Sequence, residues 1–316
     1  MGIRIVRLSF ICAGLGIGFA QSAGEEERLE EGRRLRAMGR YTEAKNTFTA
    51  LLKESEQQNR RGVFSSRVLD ELAVTEQDLG NFAAAERLLN RSLAILPSPA
   101  AEGHLGEVYL EEGRPREAEP LFRRVLAARQ NAYPLDPAAT AVAMVDLAVV
   151  YGNTGRLRQS ERMLRQALAM LEEQFSPDHP MLSAALGPLG VALSREHKYG
   201  EALAVTERAW QILREDPRVA APDLLNTMSA LAALYSLTGN MSEAELYAKD
   251  VTARAEAIYG PGHPRFGWCL ANYAAILRRM GRKDEARAME KRSAAILARS
   301  EEANPVRHSV NVNALR

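Results

Sequence analysis

Along most of the chain, alanine-rich stretches such as AAAERLL, ALAML and AEAELYAKDVTARAEA mix apolar and charged residues in a way that favours helix strongly over strand. The pattern also repeats. The segments MGRYTEAKNTF, LGNFAAAERLL, EGRPREAEPLF, TGRLRQSERML, EHKYGEALAVT, TGNMSEAELYA and MGRKDEARAME align without gaps on Gly39, Gly80, Gly113, Gly155, His197, Gly239 and Gly281. Successive anchors lie 41, 33, 42, 42, 42 and 42 residues apart. Seven residues before each anchor stand Gly32, Ala73, Gly106, Ala148, Gly190, Ala232 and Ala274. Five residues after it stand Ala44, Ala85, Ala118, Ser160, Ala202, Ala244 and Ala286. Small side chains at one site on each of two helices let the backbones approach closely, which predicts one antiparallel helical hairpin per repeat. Leu105, Leu147, Leu189 and Leu231 beside the first column, with Tyr109, Tyr151 and Tyr235 before the turn, fill the space around that contact. The fold class predicted is all-α.

The LG..Y, Gly, aromatic and Ala positions of these segments resemble the tetratricopeptide repeat family. The 42-residue spacing and the His-Pro linkers resemble the longer repeats of kinesin light chains. The resemblance covers about residues 25 to 298. It implies an α-solenoid of about seven hairpins in a right-handed superhelix, with the first helix of each pair lining the concave surface. The expected organisation is a leader at 1–23, hairpins at 24–58, 66–98, 99–132, 141–174, 183–216, 225–258 and 267–298, and a tail at 299–316.

On the same resemblance, the groove is expected to present Val145, Val149 and Asn153 from the fourth hairpin, and Val191 and Arg195 from the fifth. Asn226, Ser229 and Ala233 come from the sixth, and Trp268, Ala271, Ala275 and Arg278 from the seventh. This face is small, weakly apolar and sparsely polar. It suits an extended or helical peptide whose backbone or carboxylate meets Asn226 and Arg195. Members that grip a chaperone carboxylate carry Lys and Asn where this chain has Leu29 and Arg33, so that specificity does not carry over.

The amino terminus, MGIRIVRLSFICAGLGIGFAQSAGEEE, changes the picture of where the array works. Arg4 and Arg7 precede an uncharged stretch from Leu8 to Ala20, followed by small residues, which is the layout of a secretory signal peptide cleaved near residues 20–23. The apolar part is shorter than the roughly 20 residues a membrane-spanning helix needs. Export to a periplasmic or secreted location is expected, and the alternative is a membrane-tethered assembly factor that keeps its leader as an anchor. Without Arg4 and Arg7 the chain has 41 − 2 = 39 basic residues against 40 acidic ones, which offers no electrostatic attraction for nucleic acid. One cysteine, Cys269, remains, so no internal disulfide forms.

FSPDHP at 175–180 and YGPGHP at 259–264 place His179 and His263 two repeat periods apart, too far along a solenoid to share a metal. Each precedes a proline, Pro180 or Pro264, at a first-helix start, where the missing amide costs no intrahelical bond. None of His104, His179, His197, His263 and His308 has another histidine at i, i+3 or i, i+4, so no metal is expected. Cys269 in FGWCLANYAAIL is expected to be an inert packed thiol. There is no GxSxG, P-loop or dinucleotide motif, and neither an enzyme nor a cofactor is predicted.

Overall fold

The computed structural model describes residues 24–57, 62–214 and 221–303, and the secondary structure of those residues is all helical. Among the described residues, fourteen α-helices pack as consecutive hairpins, about seven of them, the arrangement of an α-solenoid fold. In chain order they are α1 (24–37), α2 (Tyr41–Gln57), α3 (Val63–Asp78), α4 (Phe82–Ile95), α5 (Pro99–Glu111), α6 (Pro115–Gln130) and α7 (Pro137–Asn153). There follow α8 (Leu157–Gln174), α9 (Ser183–Arg195), α10 (Tyr199–Arg214), α11 (Ala221–Thr238), α12 (Met241–Tyr259), α13 (Pro264–Arg279) and α14 (Lys283–Ala303), with a 3₁₀ turn at Pro180–Leu182 leading into α9. The leader expected at 1–23 lies outside the described residues. Of the tail expected at 299–316, the residues to Ala303 belong to α14 and the rest lie outside the described residues. ARSEEA contains only residues a helix tolerates, and the stop signal, Pro305, comes after it.

Contacts divide the described residues into two units, one running to Leu79 and including Ala84–Pro97, the other comprising Gly80–Ala83 and the described residues from Ser98. The first unit is built around Leu29, Phe48, Leu51, Val68 and Leu69, all essentially inaccessible to water. Buried hydroxyl pairs, Ser55 with Ser65 at 2.6 Å and Ser66 with Ser92 at 2.7 Å, satisfy polar groups where its helices meet. The second unit has a core of Ala148, Leu164, Leu171, Leu182, Leu186 and Leu189 around its fourth and fifth hairpins. Satellite clusters lie around Phe122 and Tyr151, and around Phe266 and Leu270.

The small columns do the work their composition suggests. A Cβ at Gly32 would lie 2.4 Å from Phe48 Cε1, one at Gly106 2.7 Å from Phe122 Cε2, and one at Gly190 2.2 Å from Thr206 Oγ1. At the turns, six glycines of the anchor column have φ between 71° and 91°, and His197, which replaces the seventh, is held at φ 62°. That left-handed residue lets the next amide reach back five positions, as in Arg114 N to Tyr109 O at 2.7 Å and Arg156 N to Tyr151 O at 2.8 Å, which satisfies a carbonyl at the helix end. The same two arginines stack on the same two tyrosines, each 4.2 Å from the ring centroid.

The His-Pro pairs start helices. His179 Nδ1 accepts from Met181 N at 3.2 Å, and His263 Nδ1 accepts from Arg265 N at 3.1 Å. Each imidazole stacks on the aromatic residue four positions earlier, Phe175 or Tyr259. Ser98 and Asp136 fill the same capping role ahead of Pro99 and Pro137.

Candidate functional site: a cavity on three first helices

Within the second unit, the first helices α7, α9 and α11 border a cavity of about 920 Å³, which is within the range of small-ligand and peptide sites. From α9 it is lined by Ala184, Gly187, Val191 and Arg195, spaced so that one helical face looks into it. From α7 come Val149, Gly152 and Asn153, and from α11 Asn226, Thr227 and Ala230. The small residues leave the space open. Val191 is 46 % exposed, a large share for an apolar side chain within a helix.

Arg195 sets the chemistry. Its Nη1 donates to Asn153 Oδ1 at 3.1 Å, one repeat period away, leaving the Asn153 amide nitrogen available as a second donor. It passes close over bare helix, with Nη1 3.7 Å from where a Cβ on Gly152 would be. The described lining contains no carboxylate. Burial therefore pulls the guanidinium below its ordinary pKa with no acidic neighbour to offset it. Elsewhere in the unit, cations reach across to the preceding hairpin for a carboxylate. Arg156 bonds Glu119 at 2.5 Å, Lys198 bonds Glu161 at 2.8 Å, and Arg208 bonds Glu172 at 2.6 Å.

Of the residues expected in the groove, Val149, Asn153, Val191, Arg195 and Asn226 line this cavity together. Val145 does not. It is 5 % exposed and packs in the core with Ala148 and Leu164, because α7 is apolar on nearly every face and the inward stripe takes that valine. Ser229 turns its hydroxyl back to Leu225 O at 2.8 Å, and Ala233 is half-buried one turn beyond the last lining residue of α11. Trp268, Ala271, Ala275 and Arg278 lie on α13, outside the cavity, and Arg278 is engaged by Glu290 of its own hairpin at 2.5 and 2.6 Å.

The lining also includes residues the helix-face argument passed over: His179, Pro180 and Met181 from the linker, and Thr206 from the second helix α10. The His-Pro position was the available signal, since a linker entering α9 lies beside the groove face of that helix. Cys269 is half-buried and its thiol is pushed up to about 11 by burial, as expected of a packed residue. Among the described residues no helix is long and apolar enough to cross a membrane, and no three His, Cys, Asp or Glu side chains gather as a metal site.

Family models described as tetratricopeptide repeat match residues 66–96, 99–173, 139–215 and 223–299, well over half of the sequence. The chain belongs to the tetratricopeptide repeat family. It thus belongs to a family of repeat scaffolds that is generally non-catalytic. Among solved structures it is similar to a Rap protein complexed with Competence and Sporulation Factor, at 14 % identity, 93 % of this chain, 85 % of that one and a TM-score of 0.65. It is also similar to BtubC (BKLC) from P. vanneervenii, at 18 % identity, 71 % and 91 % coverage and a TM-score of 0.51. A third match is to putative kinesin light chain nearly identical TPR-like repeats from Podosopora anserina, at 22 % identity, 65 % and 99 % coverage and a TM-score of 0.48. No curated protein sequence matches the chain.

Proposed function

We propose that this protein is an exported, non-enzymatic scaffold that holds a peptide segment of a partner in the cavity bordered by α7, α9 and α11. The observation that carries this reading is Arg195, a partly desolvated guanidinium without a carboxylate partner in an apolar cavity built by three hairpins. A ligand carboxylate would satisfy both Arg195 and the Asn153 amide, and the exposed Asn226 amide on the next hairpin would bond a peptide backbone. A Rap protein of the same fold is complexed with Competence and Sporulation Factor, which supports a ligand-holding role for an array of this extent.

The test places a photoreactive residue at Val191 in the intact protein and maps cross-linked peptides by mass spectrometry, with and without Arg195→Glu. Capture that depends on Arg195 is expected. Equal capture by the variant would remove the carboxylate from the reading, and no peptide captured would remove the groove. For export, the intact mass of the mature protein should correspond to a start near Gln21 or Gly24. Met1 retained in a membrane fraction would favour the tethered assembly factor instead.

A further inference from the structure

The second unit is a continuous circuit of packed helices from α5 to α13, each packed on the next in chain order. Its two ends also meet. Arg265 Nη2, at the start of α13, donates to Glu111 Oε1, at the end of α5, at 2.9 Å across 154 residues of sequence. Neither side chain is free to wander, with 21 % and 25 % of their surfaces exposed. Beside them, the Pro264 ring lies 3.3 Å from where a Cβ on Gly80 would be, with His263 Nε2 at 3.9 Å. The His-Pro linker supports the contact from behind. His263 stacks on Tyr259 with centroids 4.8 Å apart and caps the amide of Arg265, which fixes where the guanidinium leaves the chain.

We infer that Glu111 and Arg265 form a latch joining the third and seventh hairpins, and that this latch sets the curvature of the intervening stretch that carries the cavity. The three helices bordering the cavity, α7, α9 and α11, all lie between the latched ends. With the ends joined, the angles between successive hairpins cannot all relax in one direction. Opening the latch frees them to splay and separates side chains from neighbouring hairpins, among them Asn153 and Arg195. The two partners are not equivalent. Glu111 Oε2 is buried with no hydrogen bond, so the carboxylate depends on Arg265 for its compensation. The latch is a property of the array itself and needs no ligand.

The test compares small-angle scattering of the full chain with that of Arg265→Glu, Glu111→Arg and the double exchange. Each single reversal should enlarge the maximum dimension and radius of gyration while helicity by circular dichroism stays near wild type, and the double exchange should restore the compact values. Arg265→Ala, which strands Glu111, should expand the chain more than Glu111→Gln, which leaves a neutral partner. Wild-type dimensions in both single reversals would overturn the latch. If a reversal fails to fold, Glu111→Gln decides: unchanged dimensions and an unchanged melting curve overturn it, and expansion supports it.

Discussion

The hairpins α5–α6 and α7–α8 are neighbours of one design that solve the same packing problem differently. Both turn on a left-handed glycine and both lay an arginine over the tyrosine before the turn. At the closest approach, the first pairs Gly106 with Phe122, and the second pairs Ala148 with Leu164. In the second, Ser160 also donates to the Ala148 carbonyl at 2.6 Å, where the first has Ala118. The helix approach is thus preserved by trading volume across it. In α5–α6, where the first helix gives up its Cβ, the second supplies a ring. Gly32 with Phe48 repeats the first solution in the other unit.

Breaking the first solution outright should have the largest effect. Phe122→Ala leaves a cavity over a glycine that cannot fill it, and should cost about 3–5 kcal/mol in urea denaturation. Next comes a difference on the opposite side of the comparison. α7 carries Asp146 where α5 carries His104, and burial alone pushes the Asp146 carboxyl up to about 7. An acid whose folded pKa is raised holds its proton longer when folded. Its site is therefore most stable below the ordinary value near 4, and loses stability as pH rises from there to about 7. Asp146→Asn should remove that slope and gain on the order of 1–4 kcal/mol above pH 7, read from denaturation midpoints at pH 5 and 8. Equal slopes for variant and wild type would show that the carboxylate is solvated.

Gly106→Ala should cost about 1–3 kcal/mol by overpacking against the ring. The double change Gly106→Ala with Phe122→Leu, which gives this hairpin its neighbour's pair, should recover most of that loss. Strict additivity of the two single effects would mean that the two positions do not share one space. The smallest effect belongs outside the comparison, at Glu201 on α10. Its bond to Arg165 is exposed on both sides, and Glu201→Leu should change stability by no more than about 0.5 kcal/mol.

The fold was legible because its constraints are local and periodic. The anchor column marks left-handed turns, and even its exception, His197, adopts the backbone the column requires. The candidate site was legible only where a helix face is unambiguous. On α9, polar and small residues mark the open side, and Val191 and Arg195 follow from spacing. On α7, apolar residues surround the helix, and nothing in the local pattern distinguishes buried Val145 from cavity-lining Val149. His179 and Thr206 reach the cavity from a linker and a second helix, so no first-helix face could include them. Arg265 and Glu111 meet across 154 residues, a separation at which periodicity carries no information about contact.

That long-range contact bears on how the array comes apart. A stack of repeats held only by adjacent neighbours is a one-dimensional chain, which frays from its ends and loses its hairpins piecemeal. Joining the third hairpin to the seventh converts five of them into a loop, and a loop has no end among its members. Amides from α5 to α13 should then exchange with solvent as a single protected block, while α14, beyond the junction, opens on its own at lower free energy. The same junction must be made late in folding, after a long loop has closed at an entropic cost, so its ion pair stabilises the finished array without hastening its assembly.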